Sequence, residues 1–549
     1  MISYQVYQRY KGFMRNFFRY LPLILLASPF ATSQPASALQ IDWAGEFRSE
    51  YNFVRNYSLE SGEAGQINDA TRASAGGYYI PHGGSNNASF QNLFLRLKPR
   101  VTVNDNLYIY SEWWAGDPVF GIFGNAVPYN IDQRQWYSNQ SRGSVISAQR
   151  FWAEIDSDVG VFEIGRAPLD WGLGLIWNRG DGIWGKRTAA KGERTTAYGR
   201  PWDRYESTGD QIRLVSKFGS FSFSPAFIQY SSGNNIGGAG QYNTAGTVYS
   251  PTVGGGGVTE YSFALKYENL DEDLEGGVNF IRRIGQAAQD THAGPGSTGG
   301  GAVPANTPVG MSFNTWDLYG KKKLGRFTVG GEVPIVSGSL GSGSFSSYAV
   351  AVEVDWKMSE SWDSSIRAGH VPGQPGSATA VTDQFKAFYL NPNYKLGLIM
   401  FNYQLANFAG PNTLNNPNTT PSALRSPYDN PITNANYLNV GAAYHTDKWD
   451  FHTNWVYAKA NETAGAGSAF FWNDAQRTYV ATGAGAGEQS TSIGLEMDYG
   501  ATFQWDDSFT FGLDFGFFFP GDYWAYSNTA TQNATDTVFA AVARVGIAF

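Results

Sequence analysis

Apolar and polar residues alternate along most of the chain after residue 38. Leu39, Ile41, Trp43, Gly45, Phe47, Tyr51 and Phe53 alternate with Gln40, Asp42, Glu46, Arg48, Glu50 and Asn52. A period of two puts the first set on one face of a strand and the second on the other. The pattern returns at residues 93–103, 261–267, 348–356 and 509–517. Alternation also describes a soluble sandwich, so the spacing of the strands has to decide between core and lipid. Short turns are expected at 104–106, 157–160, 219–220, 269–273, 324–325, 358–361, 391–393, 446–448 and 504–508, separated by longer connections rich in Gly, Ser and Asn. Regular alternation of short turns and long loops is the rhythm of a transmembrane barrel, and repeated long loops count against a compact soluble domain.

Nine turns and ten loops predict an all-β fold: an antiparallel up-and-down transmembrane β-barrel of about twenty strands. The pattern is weakest at 107–115, 161–168 and 385–405, which makes eighteen the nearest alternative. Small barrels fill with side chains, whereas about 16–18 strands leave an aqueous channel. The first strand begins beside the expected leader cleavage site and the last ends at the C-terminus. A single barrel domain, 39–549, is therefore expected, with only loops to narrow it.

Composition sharpens this picture. The chain carries 17 Trp, 32 Tyr and 37 Phe, and only 16% of its residues are charged, against about 25% in soluble domains. Trp43, Trp113, Trp356, Trp362, Trp449, Trp455 and Tyr499 recur toward strand ends, as rings do that settle at a membrane–water boundary. The one apolar run, residues 21–31, is too short to cross as a helix, which takes about 20 residues. A net charge of −8 argues against nucleic acid as a partner. With no Cys there is neither a disulfide nor a Cys-ligated metal.

Residues 1–38 read as a secretory signal. Arg15 and Arg19 precede the apolar run, and Ala36 and Ala38 supply small residues before the cut. Met14 is a possible true start. Cleavage takes away Arg9, Lys11, Arg15 and Arg19 and no acid, so the net charge of −8 becomes −12.

The last strand places Phe539, Ala541, Ala543, Val545, Ile547 and Phe549 on one face and stops on the phenylalanine. In this the chain resembles bacterial outer-membrane β-barrel proteins of the porin-like kind. The resemblance implies export through the Sec pathway to the outer membrane of a Gram-negative bacterium. It also implies insertion by the barrel-assembly machinery, with Phe549, Ile547 and Val545 as the assembly signal, contact with outer-membrane lipid and lipopolysaccharide, and a possible homotrimer.

Two groups of residues are candidates for the pore. The connection 166–213 carries Arg166, Arg179, Lys186, Arg187, Lys191, Arg194, Arg200, Arg204 and Arg213 among acids and the rings of Trp171, Trp177, Trp184, Tyr198, Trp202 and Tyr205. Such rings favour burial, so part of this loop is expected to fold into the lumen as a constriction. On the polar phase of the strands, Arg96, Lys98, Arg100, Arg150, Arg213 and Lys217 form a basic ladder. Acids share that phase elsewhere: Asp42, Glu46, Glu50, Glu260, Glu353, Asp355, Glu496 and Asp514. Opposed rows of charge would set up a transverse field; the plainer alternative is that these charges pair along the wall.

Signals for chemistry are poor. His82, His292, His370, His445 and His452 are scattered without metal-ligand spacing, and no serine is singled out as a nucleophile. The chain reads as a non-enzyme without cofactor or metal. Three functions fit: a porin for passive diffusion of small hydrophilic solutes, a substrate-selective channel for a sugar, amino acid or polysaccharide, or a surface-interaction barrel whose pore is closed. N-terminal sequencing of the protein isolated from outer membranes is expected to begin at Leu39.

Overall fold

The computed structural model describes residues 40–56, 59, 87–116, 122–123, 146–180, 207–229, 258–285, 311–340, 343–378, 384–391, 393–403, 405, 431–465, 467–474, 478–483, 485, 487–526, 532 and 535–549. The chain divides into Met1–Gln40 and Ile41–Phe549; the expected leader, with Met14, lies outside the described residues. The described strands are β1 (Gln40–Arg55), β2 (Asn87–Asn104), β3 (Leu107–Gly116), β4 (Ile122–Phe123), β5 (Ile146–Ser157), β6 (Gly160–Pro168), β7 (Thr208–Phe218), β8 (Phe221–Gln229), β9 (Val258–Asn269), β10 (Leu274–Gly285), β11 (Met311–Leu324) and β12 (Phe327–Leu340). They continue with β13 (Gly343–Tyr348), β14 (Val350–Lys357), β15 (Trp362–Val371), β16 (Gln384–Phe385), β17 (Ala435–His445), β18 (Trp449–Lys459), β19 (Phe470–Asn473), β20 (Thr478–Ala481), β21 (Ser492–Gln504), β22 (Phe509–Pro520) and β23 (Val538–Ala548).

Sequential strands pair antiparallel around the wall, and β1 meets β23 in register from Glu46↔Ala548 to Arg55↔Phe539. That last pairing closes the sheet, which leaves no edge to hydrogen-bond with lipid. β13 and β14 pair in succession with β12 and act as one wall strand. β4 extends the edge of β2, β16 adds two parallel pairings to β13, and β19 and β20 form a separate hairpin. Eighteen strands therefore form the closed barrel, and the two of the separate hairpin bring the total to twenty.

Eight of the nine expected turns join wall neighbours. The exception is 391–393. The described residues of 385–405 do not form a strand pair; beyond the short β16 they are almost entirely buried. The other two weak stretches, 107–115 and 161–168, are β3 and β6. Not every connection at the end opposite the short turns is long, since only residues 341–342 separate β12 from β13.

The alternation seen in the sequence sorts residues between lipid and lumen. On β22, Phe511, Leu513, Phe515, Phe517 and Phe519 are exposed on the outer face, whereas Thr510, Asp514 and Phe518 are buried inside. Near the short turns the outer face is aromatic: Trp362 meets Tyr444 at 4.9 Å, Trp449 meets Phe503 at 4.7 Å, and Phe327 stacks on Trp356 at 5.4 Å. Trp43, 59% exposed, lies at the same end. Together these rings make the interfacial girdle of an outer-membrane barrel. Trp455 and Tyr499 instead lie in the middle of β18 and β21. The main buried cluster lies inside the barrel, where Leu169, Leu175, Ile176, Trp177, Leu396, Ile399 and Tyr403 pack together with wall residues such as Val456 and Val542.

Ile366 faces outward in mid-strand beside Val354 and Val440. Ile366→Arg places a charge in hydrocarbon and should cost about 2–4 kcal/mol if the site is at the midplane; equilibrium unfolding in lipid vesicles, followed by tryptophan fluorescence, measures this.

Candidate functional site

Two segments leave the wall and run inside the barrel. The first follows β6. Leu169, Leu173, Leu175, Ile176 and Trp177 are buried, and Gly172 and Gly174 adopt φ of +60° and +85°, conformations that favour glycine. Glu332 of β12 accepts hydrogen bonds from the backbone N–H of Leu173 and Leu175, the latter at 3.2 Å. A side chain at residue 172 would meet the Glu332 carboxylate within 2.5 Å, so the close approach also requires glycine there. A few residues on, Arg96 of β2 donates to the carbonyl of Gly180 at 2.9 Å and Arg150 of β5 donates to that of Arg179. β2 and β12 stand nine strands apart in a circuit of eighteen, so residues 173–180 bridge opposite walls.

The second segment follows β16. Glu496 of β21 accepts from the N–H of Ile399 at 2.6 Å and of Met400 at 2.5 Å, and Asp498 accepts from Leu398 at 3.1 Å. Asn439 of β17 and Asn454 of β18 donate to the carbonyl of Leu396, and Tyr403 donates to Asn52 of β1 at 2.7 Å. A side chain at residue 397 would come within 2.7 Å of the Glu496 carboxylate. Asn391 joins the two segments: its N–H donates to Leu175 at 2.7 Å, and its side chain donates to the carbonyl of Ile176 and to Ser207 at 3.0 Å each.

The two segments share Leu-Gly-Leu-Ile, at 173–176 and 396–399. In each case a wholly buried wall glutamate accepts two backbone N–H groups in or next to the motif, and a second buried carboxyl lies beside it, Asp317 at Glu332 and Asp498 at Glu496. This internal repeat is the signal that the sequence offers for the second segment, and the expected strand pattern at 385–405 masks it.

The ladder residues fall into three groups. Arg96, Lys98 and Arg150 converge on Glu112 of β3 at 3.6, 3.8 and 3.0 Å, and Arg96 also pairs with Glu46. Glu112 was missed; it stands on the polar phase of β3 in register with Arg150. Arg100 pairs with Asp42 at 2.6 Å nearer the turns, and Arg213 with Glu163 at 3.4 Å, while Lys217 is exposed beside the turn at Gly219. Glu50 contacts Arg48 at 3.3 Å. Arg166 lies elsewhere: it shares the outward phase of β6 with Ile164 and pairs with Asp210 at 2.7 Å outside the barrel. Of the loop cations between β6 and β7, Lys186, Arg187, Lys191, Arg194, Arg200 and Arg204 lie outside the described residues, as do Trp184, Tyr198, Trp202 and Tyr205.

Elsewhere on the inner wall the charges pair with near neighbours: Arg283 with Glu260, Arg544 with Asp514, and Arg367 with Glu353 at 3.6 Å. Opposed rows of one sign are not what these contacts form. His445 bridges Asp450 at 2.6 Å and Asp363 at 3.0 Å. His452 reaches across β21 to Asp514 at 2.7 Å, over Gly500, where any side chain would overlap both partners. Arg48 is 2% exposed, lies 5.2 Å over the ring of Phe94, and neither terminal nitrogen of its guanidinium has a hydrogen-bond partner among the described residues.

No protein-family model and no curated protein matches the chain. Among solved structures it is similar to OpdK of Pseudomonas aeruginosa, at 9% identity over 92% of this chain and 99% of that one, with a TM-score of 0.43. It is similar to OccK9 (OpdG) of the same organism, at 8% identity over 93% and 99%, TM-score 0.46. A third is OmpT, an outer membrane protein of Vibrio cholerae, at 10% identity over 95% and 100%, TM-score 0.32. The closed wall, its apolar outer face and its aromatic girdle are those of an outer-membrane barrel in their own right.

Glu496→Ala strips the acceptor from two buried amides, at about 1–3 kcal/mol each. Chymotrypsin added to the folded barrel should then cut near Phe401 and Tyr403, where the unaltered protein resists; the fragments are read by mass spectrometry.

Proposed function

We propose that the chain is a passive outer-membrane channel for small hydrophilic solutes whose narrowest section is built by residues 169–180 and 396–403. The observation that carries this reading is the bridge from Glu332 to Arg96 and Arg150 across the lumen. A wall of eighteen strands encloses more space than its own side chains fill, and loops crossing that space set the size limit. The contribution of the ladder residues is fixation: Arg96 and Arg150 hold backbone carbonyls of the crossing segment, and Glu46 and Glu112 balance their charge. Lys98, Arg213 and the Arg100–Asp42 pair, less deeply buried, line the part of the lumen nearer the turns.

A substrate-selective channel is the second reading, favoured by Arg48. Terminal guanidinium donors with no partner among the described residues, beside an aromatic face, suit a solute carrying acceptor oxygens. Planar-bilayer recording of the purified barrel separates the readings. Passive diffusion gives an ohmic current that no small solute blocks. Saturable block by one solute, relieved at least tenfold in Arg48→Gln, would establish selectivity instead, and absence of any current would remove the channel reading.

A further inference from the structure

We infer that each inward segment is latched through one shared proton, which Asp317 donates to Glu332 and Asp498 to Glu496, and that loss of these protons at alkaline pH releases the segments. Two different placements bring the carboxyls together. Asp317 of β11 stands opposite Pro334 and Glu332 of β12 opposite Tyr319, so the two acids are diagonal neighbours on the inner face. Glu496 and Asp498 are alternate residues of β21 and share its inner face. All four carboxyls are buried.

Charge decides what lies between the members of each pair. Two ionised carboxylates side by side in a water-poor interior repel, and only a cation or a proton relieves them. Among the described residues neither pair has a cation in contact. Around Glu332 and Asp317, β10 presents Asn279, β11 Tyr319, β14 Glu353 and β17 Tyr437, while Asp170 of the segment is exposed. The cations there are taken: Arg367 by Glu353 at 3.6 Å, and Lys266 and Lys321 by Glu275 at 2.7 and 3.8 Å. Around Glu496 and Asp498, β18 presents Asn454 and His452, and β22 presents Asp514. His452 and Arg544 are taken by Asp514, and Lys395 of the segment donates to the carbonyl of Phe401.

The hydrogen bonds locate the proton. Glu332 accepts from Leu173 and Leu175, and Glu496 from Ile399 and Met400, so each glutamate is the ionised member. Asp317 accepts on neither oxygen among the described residues. Asp498 accepts on Oδ2 alone, from Leu398 and Asn454, which leaves Oδ1 over the bare backbone of Gly516. A buried carboxyl oxygen with no donor is the one to protonate, and it then becomes a donor to its neighbour. The latched state thus holds protons that solvated carboxyls give up above about pH 4. Because it binds more protons than the released state, rising pH favours release, by up to about tenfold per pH unit for each proton lost. The effect on permeation rests on these segments being the narrowest section, so infrared absorption and proteolysis, which need no current, are the readouts.

In heavy water near neutral pH, where exposed carboxyls are ionised, the full barrel folded in detergent should show the infrared carbonyl band of protonated carboxyl groups. D317N and D498N, which keep a donor beside each glutamate, should each weaken that band while retaining heat-modifiable mobility, and the double variant should weaken it further. Chymotrypsin cleavage near Trp177 and near Phe401, relative to an exposed reporter peptide, should rise at least tenfold from about pH 7 to about pH 9 in the unaltered protein. D317N should cancel the rise at Trp177 and D498N the rise at Phe401. A band absent from the unaltered protein, a band unchanged in the double variant, cleavage indifferent to pH, or a rise that survives both substitutions would overturn the proposal. Should a variant fail to fold, the unaltered protein decides alone. Band and protection lost over the same pH range support the shared proton, and protection that outlasts the band defeats it.

Discussion

A backbone amide left unpaired at membrane depth costs several kcal/mol, and that constraint governs both the wall and what it contains. Strands satisfy it by pairing with neighbours, and the β1–β23 register removes the last free edge. The inward segments have no such neighbours. Their amides are satisfied by wall side chains: Glu332 for Leu173 and Leu175, Glu496 for Ile399 and Met400, and Asp498 for Leu398. Their carbonyls are satisfied by Arg96, Arg150, Asn439 and Asn454. Irregular backbone is tolerated at this depth because protein, not lipid, surrounds it.

Away from the two anchors, where Glu332 lies by Asp317 and Glu496 by Asp498, the inner wall is ionic and yet locally neutral. Burial of charge is tolerated only with partners. Hence Glu112 gathers Arg96, Lys98 and Arg150, Glu46 pairs with Arg96, and Asp514 is held between His452 and Arg544. Charges used in this way cannot also stand as opposed free rows. The transverse field suggested by the residue types gives way to short-range pairing because pairing is what allows these groups to be buried at all.

Much of the wall was legible because a period of two has one physical meaning once the turns are spaced regularly. Eight turns, the outward face of β23 and the aromatic character of the turn end could be read directly. Residues 391–393 misled because Asn-Pro-Asn makes a tight turn in any setting, and nothing local says whether strands flank it. Arg166 misled for a different reason. The connection is expected to begin at 166, but β6 runs on to Pro168 and carries Arg166 on the outward face with Ile164. Glu112 and Glu332 were illegible as anchors because their partners lie on other strands or in a distant segment, and only the register brings them together.

The two Leu-Gly-Leu-Ile segments show how similar local chemistry serves two parts of the wall five strands apart. Glycine is needed where the chain passes a carboxylate with no room for a Cβ, at 172, one residue before the first motif, and at 397, inside the second. Leucine and isoleucine then bury against the inner wall and against each other across Asn391. The apolar core that a soluble protein places between layers is here placed inside the barrel, because the outer apolar face is already spent on lipid. A sequence with few charges and many rings accommodates both: rings outside for the membrane boundary, aliphatic clusters inside for the segments, and charge kept for the amides that must be held where water is scarce.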